Sequence, residues 1–142
     1  MWSKSIQYLI PGFVYLCHSE ESGSGWTDWD RGKVSEPCKI GIIQAHTKSL
    51  STGFFFTNQA AVLFKVQKRI NVLQIGNSNY LSIRLVSGMS NDVYVVENNI
   101  QEKYKKYHIR GEWYNLSSRQ VQNISKLMEV LTKKQNHYNV AK

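Results

Sequence analysis

The chain has 142 residues, 42% hydrophobic and 12% aromatic, and its 18 Lys and Arg outweigh 10 Asp and Glu for a net charge of +8. This length suits one domain with a real core and excludes a catalytic domain beside a full recognition domain. The composition excludes a disordered chain, two cysteines exclude a disulfide framework, and the excess of cations favours nucleic acid over an anionic membrane as partner.

Lys4, Gln7 and Pro11 interrupt the apolar N-terminal residues, so no signal peptide is expected, and no run is long enough to span a bilayer. The expectation is an intracellular protein, cytoplasmic or with the nucleoid or nucleus, with no membrane partner.

Residues 12–19 read as a strand, with Phe13, Tyr15 and Cys17 on one face and Val14 and Leu16 on the other. A polar stretch over 20–37 carries Trp26 and Trp29, both unusual in a loop, and closes on Pro37. Residues 38–43 form a second strand, expected to pair antiparallel with the first. Between 44 and 58 the run Phe54-Phe55-Phe56 fits either a short buried strand or an apolar patch on a second long loop.

Asn58 is a plausible N-cap for a helix that puts Val62, Val66, Arg69 and Leu73 on one side, with Leu63 and Ile70 beside them and Gly76-Asn77 as its stop. Leu81, Ile83 and Leu85 alternate as a strand. Asn91 opens a second helix with Val93, Val96, Ile100, Tyr104 and Tyr107 at core spacing, and Gly111 ends it. Residues 112–116 read as a short final strand or extended piece. Ser117 and Gln120 form a capping box for a third helix, and a polar, frayed tail follows from about 136. With no repeats and no linker, the reading is one α+β domain spanning 1–142.

Two charges stand out. Arg69 lies three residues after Val66 and four before Leu73, on the rim of an apolar stripe, and Glu97 lies four after Val93 and three before Ile100 on the second helix. Alone, such an arginine more often snorkels and such a glutamate more often pairs with a cation. Together they suit phosphodiester chemistry: the carboxylate can hold a hard divalent cation, and the guanidinium can neutralise charge on a scissile phosphate. Tyr15 and Lys39, on neighbouring strands, could then share a cleft in which water is activated. A phenol serves as a base only where a cation favours its phenolate.

Gly12-Phe13-Val14-Tyr15-Leu16 followed by Cys38-Lys39-Ile40-Gly41-Ile42 resembles the paired strand motifs of the GIY-YIG endonuclease superfamily, in the branch whose second motif is Lys-Ile-Gly. Arg69-Ile70-Asn71-Val72-Leu73-Gln74-Ile75-Gly76-Asn77 is similar to that branch's helix end, and Val96-Glu97 with Gly111-Glu112-Trp113-Tyr114 to its acidic helix and closing element. The resemblance covers residues 12 to about 131. It implies a small three-stranded antiparallel sheet flanked by about three helices, with two long loop insertions at about 20–37 and 44–58. It also implies cleavage of DNA, double-stranded in the first instance, with one divalent metal: Mg²⁺, with Mn²⁺ able to substitute.

Carried over by position, Tyr15 is the general base or water-orienting phenol, Lys39 supports deprotonation, Arg69 stabilises the transition state and Glu97 holds the metal. Gly41 allows close packing behind the site, and His108, Gln101 and Asn115 are possible supporting groups. The sequence departs from the branch at Ile43, where Thr is usual, and at Gln101, where His is frequent. Arg31, Lys48, Lys65, Lys68, Lys105, Lys106 and Arg110 are candidate DNA contacts, and the loop aromatics Trp26, Trp29 and Phe54–Phe56 are candidate wedges or stacking groups. One active site cuts one strand, so double-strand cleavage would require a homodimer or sequential nicks. The missing histidine at Gln101 and the two long insertions motivate a second reading, an inactive nucleic-acid- or nuclease-binding module on the same fold. A third is an RNA-binding or membrane-surface basic protein.

Overall fold

The fold is built around β1 (Gly12–Glu20), whose alternate residues enter two separate cores. The molecule is described by a computed structural model over residues 9–20, 26–45 and 59–140. Val14 and Leu16 join the larger core, whereas Phe13, Tyr15 and Cys17 join the smaller one on the opposite sheet face. Strand alternation alone produces this division.

β2 (Ser35–Gln44) pairs antiparallel with β1, setting Tyr15 opposite Gly41 and Cys17 opposite Lys39. β3 (Tyr80–Val86) pairs with the other edge of β1, and the register shifts so that Arg84 has no partner between the pairs Leu16–Leu85 and Cys17–Ile83. α1 (Gln59–Ile75) lays Val62, Val66 and Ile70 on the face that carries Tyr15. α2 (Val93–Lys103) and α3 (Ser118–Thr132) cover the opposite face with Val93, Val96, Ile100, Val121, Ile124 and Met128.

Among the described residues the sheet has six strands, which corrects the three-stranded expectation. Its order is β4-β5-β2-β1-β3-β6, where β4 is His108–Arg110, β5 is Trp113–Ser117 and β6 is Tyr138–Asn139. Every adjacent pair is antiparallel. The strands read near 12–19, 38–43 and 81–85 are β1, β2 and β3, and the further strands pair the backbone groups that the edges of β2 and β3 would otherwise leave open. Strands of two or three residues show no hydrophobic alternation, which is why β4 and β6 escape a reading of the sequence. The tail read as frayed supplies β6, and Asn136 just before it is buried, donating to the Ser125 hydroxyl and carbonyl oxygens at 2.8 and 3.1 Å.

The first expected insertion is also shorter than read, because β2 begins at Ser35. A tight turn precedes it, in which the Asp30 carboxylate accepts from the Thr27 amide and hydroxyl at 3.0 and 2.8 Å. Within that turn Trp29 is a core residue, 2% exposed, with its indole N–H donating to the Leu116 carbonyl at 2.7 Å. The stacking role expected of Trp29 is therefore withdrawn. Asn58, Lys48 and Phe54–Phe56 lie outside the described residues.

The caps explain the helix bounds. Asp92, rather than Asn91, caps α2 by accepting from the Tyr94 amide. The helix stops at Lys103, and a 3-10 turn over Lys105–Tyr107 follows, so Tyr104 and Tyr107 reach the larger core from outside the helix. α3 starts on the expected capping box, Ser117 and Gln120 exchanging bonds of 3.2 and 2.8 Å. Among the described residues, no helix is long and apolar enough to cross a membrane.

Candidate functional site

Five polar side chains from five segments converge where β1 and β2 meet the end of the β4–β5 turn. The register places Tyr15 opposite Gly41, and the phenol ring lies over the glycine: a Cβ at position 41 would sit 2.5 Å from the phenolic oxygen. Tyr15 is thus 1% exposed in the smaller core. From α1, the Arg69 guanidinium comes within hydrogen-bonding reach of the phenol. The arginine itself is exposed, at the rim of the stripe centred on Val62, Val66 and Ile70. Helical phase explains this, since positions four apart define the centre of the stripe and Arg69 falls to one side.

Burial pushes the Tyr15 phenol up to about 12, with the neighbouring Cys17 adding to the effect, and Arg69 opposes the rise only in part. Tyr15 therefore carries its proton at neutral pH. It is equipped to orient a water or phosphate oxygen, whereas a base would need its phenolate.

Lys39 extends from β2 on the side of Tyr15 and forms a short ion pair with Glu112. Glu112 is held by Gly111, whose φ of +52° makes the tight β4–β5 turn, and by its carbonyl, which accepts from the Ile40 amide at 3.0 Å. Glu97, on α2, is 6% exposed, so its side chain points inward as its helical phase requires. Its carboxyl lies within reach of that of Glu112. Burial raises Glu97 to about 7, Glu112 adds to the rise by charge and hydrogen bonding, and Lys39 opposes it.

Glu97 Oε2 is buried and has no hydrogen-bond partner among the described residues. An orphan carboxylate oxygen beside a second carboxylate fits a hard cation that brings most of its own waters. Among the described residues no group of three or more His, Cys, Asp or Glu side chains could enclose a metal, so a zinc-type cage has no counterpart here.

Glu112 is the site residue that sequence reasoning missed, appearing there only as part of a closing motif. The sequence carried no signal for this role, since nothing in it pairs residues 112–116 with the strand of Lys39. Of the supporting candidates, Gly41 makes the space that Tyr15 occupies. His108 bonds the Gly111 carbonyl at 2.7 Å and packs on Tyr114, whose phenol is raised by burial and then by Glu97 and Glu112. His108 thus lies one layer out. No hydrogen bond of the described residues joins Gln101 or Asn115 to the cluster.

The candidate DNA contacts separate by location. Lys65, Lys68 and Arg69 line a groove of about 620 Å³ along α1 with Ile43, Phe64 and Val72, and Arg69 is the lining residue that reaches the Tyr15 phenol. Arg110 shares a hollow with Trp113, which packs against the Tyr15 core. Lys105 pairs with Glu102, Lys106 lies over the Tyr107 ring, and Arg31 pairs with Asp28, each away from that groove.

The model of the T5orf172 domain matches residues 12–129, a span that begins with β1 and runs into α3. The chain belongs to the T5orf172 domain family. That family is related to GIY-YIG-like and homing-type nucleases, which makes this T5orf172 domain a nuclease-like module with nucleic acid as its expected partner. No curated protein and no solved structure matched the chain.

Proposed function

We propose that this T5orf172 domain is a DNA endonuclease of GIY-YIG type that hydrolyses phosphodiester bonds with a divalent metal. The observation that carries this reading is the approach of Arg69 to the Tyr15 phenol at the mouth of a cationic groove, with Lys39, Glu112 and Glu97 at the same corner. DNA would lie along α1 with its phosphates on Lys65 and Lys68. Arg69 would bind the scissile phosphate and offset the charge that grows on its oxygens as water attacks. Tyr15, protonated and fixed over Gly41, would orient that water. Lys39 favours the ionised form of Glu97 and is itself held in place by Glu112.

Glu97, with Glu112 beside it, would hold Mg²⁺ or Mn²⁺. The ion would supply Lewis acidity toward a phosphate oxygen. With a single such site, one strand would be cut per event, and a homodimer would serve double-strand cleavage.

Nicking of supercoiled plasmid tests the reading. Wild type should nick with Mg²⁺ and not with EDTA, and Glu97→Gln and Arg69→Ala should each lose about 10²-fold or more. Wild type and variants equally inert with Mg²⁺ and Mn²⁺ while DNA still binds would overturn the enzyme and leave the binding module.

A further inference from the structure

On the sheet face away from Tyr15, the turn before β2 and the start of α3 enclose a cleft of about 430 Å³ that the nuclease site does not use. Two of its lining residues, Trp29 and Val121, belong to the larger core, which fixes the cleft to the α2–α3 side. Its volume falls within the range of small-ligand sites, about 300–1,000 Å³.

The lining is cationic. Arg31, Arg84, Arg119 and Lys126 face Asp30 as the only acid among the lining residues. Arg84 is already committed, paired with Glu20 and Asp30 and set over the Trp29 ring, so it is part of the wall. Arg31 is tied to Asp28 only by an exposed pair at 3.5 Å, which is weak. Arg119 and Lys126 form no ion pair among the described residues. Arg119, Gln122, Asn123 and Lys126 recur at helical spacing on one face of α3; the Gln122 amide is paired with that of Asn139 at 3.2 and 3.3 Å and belongs to the wall, which leaves the Asn123 amide between the two cations.

Trp26, at the mouth, is 67% exposed. A large indole held in the open beside cations suits a π-face bordered by phosphate. In a duplex the base faces are covered by their neighbours, whereas an unpaired base offers one to an aromatic ring. An acidic peptide would satisfy the cations and leave the indole unused.

We infer that this cleft binds single-stranded nucleic acid, with one unpaired base stacked on Trp26, its edge toward Asn123, and the flanking phosphates on Arg119, Lys126 and Arg31. The site is independent of the cleavage chemistry, so the test is run in EDTA on the full chain. A fluorescently labelled oligothymidine of about a dozen nucleotides and a blunt hairpin duplex are titrated by anisotropy. Trp26→Ala should weaken single-strand binding about tenfold and change duplex binding by less than about twofold, in keeping with the usual worth of one stacked base. The Arg119→Ala, Lys126→Ala double variant should weaken single-strand binding at least as much. Quenching of tryptophan fluorescence by the unlabelled strand should be largely lost in Trp26→Ala. Thermal melting should match wild type, because Trp26 is exposed. The inference is overturned if Trp26→Ala leaves single-strand affinity unchanged or lowers duplex affinity equally. It is also overturned if thymidine monophosphate or polyglutamate displaces the strand as well as unlabelled oligothymidine does.

Discussion

The Tyr15 ring occupies the volume that a side chain at Gly41 would fill, with its phenolic oxygen and Cζ both 2.5 Å from where a Cβ would stand. Tyrosine and glycine on paired strands are therefore one device: the missing methyl lets the ring lie flat on β2 and aims the hydroxyl at Arg69.

Gly41→Ala should force the phenol out of this position. The fold should survive with a loss of about 1–3 kcal/mol from overpacking, read by urea unfolding. Nicking should fall about 10²-fold, the usual consequence of displacing a reacting group by about 1 Å. Nicking that stays at the wild-type rate would show that the position of Tyr15 is unimportant.

How much of this was legible in the sequence follows from what each residue's environment depends on. β1 and β3 were readable from the alternation of Phe13, Tyr15 and Cys17 and of Leu81, Ile83 and Leu85, and the α3 start because a capping box is local. Spacing set both Arg69 and Glu97 on the rims of apolar stripes, and only the packing of each helix leaves the first exposed and the second 6% exposed. Glu112 was not legible, because its role depends on the β5–β2 pairing that brings it to Lys39 across 73 positions of sequence. Trp26 and Trp29 looked equivalent in a polar stretch. Only the turn built on Thr27 and Asp30 sends one into the core and leaves the other in solvent.

The Lys39–Glu112 pair should be measurable as a coupling. The lysine side chain is 11% exposed and the glutamate 40%, so the ammonium is the member that suffers when its partner is removed. Glu112→Gln should destabilise by about 1–2 kcal/mol, allowing for solvent around the carboxylate. Lys39→Met should remove the stranded charge, so the double variant should cost less than the sum of the singles by about 1 kcal/mol in a urea cycle. Additivity would mean that the pair contributes nothing to folding.

The groove along α1 predicts a salt signature. Lys65 and Lys68 lie on the same side as Arg69, and both line the groove. Replacing both by Ala should lower duplex affinity for any sequence and reduce the slope of log K against log salt by about 2, one for each phosphate no longer neutralised by a lysine. The matched change at Lys105 and Lys106, which lie away from the groove, should alter the slope by less than about 1. Equal effects at both places would remove the groove as the duplex path.

His18 predicts how stability falls with acid. The ring is 1% exposed and stacked on Trp29, with centroids 3.7 Å apart and planes 13° from parallel. Its Nε2 is 2.8 Å from Glu36 Oε1 and its Nδ1 3.7 Å from Glu20 Oε1, while Asp30 and Arg84 also face it. Burial first, and then the Arg84 guanidinium, hold its pKa down from 6.5 to about 4, against the pull of Glu20 and Asp30. The unfolded chain takes up this proton near 6.5, while the folded chain resists until about 4. The contribution of the neutral ring is thus complete above the upper value and is lost as pH drops through this window. Between those limits the loss amounts to about 3 kcal/mol. His18→Phe keeps a ring against Trp29 but cannot titrate and leaves Glu36 without its donor, so it should be less stable than wild type at neutral pH. Its unfolding free energy in urea should then decline less steeply between pH 6.5 and 4, the carboxylates being common to both proteins. Parallel declines would place the acid sensitivity elsewhere.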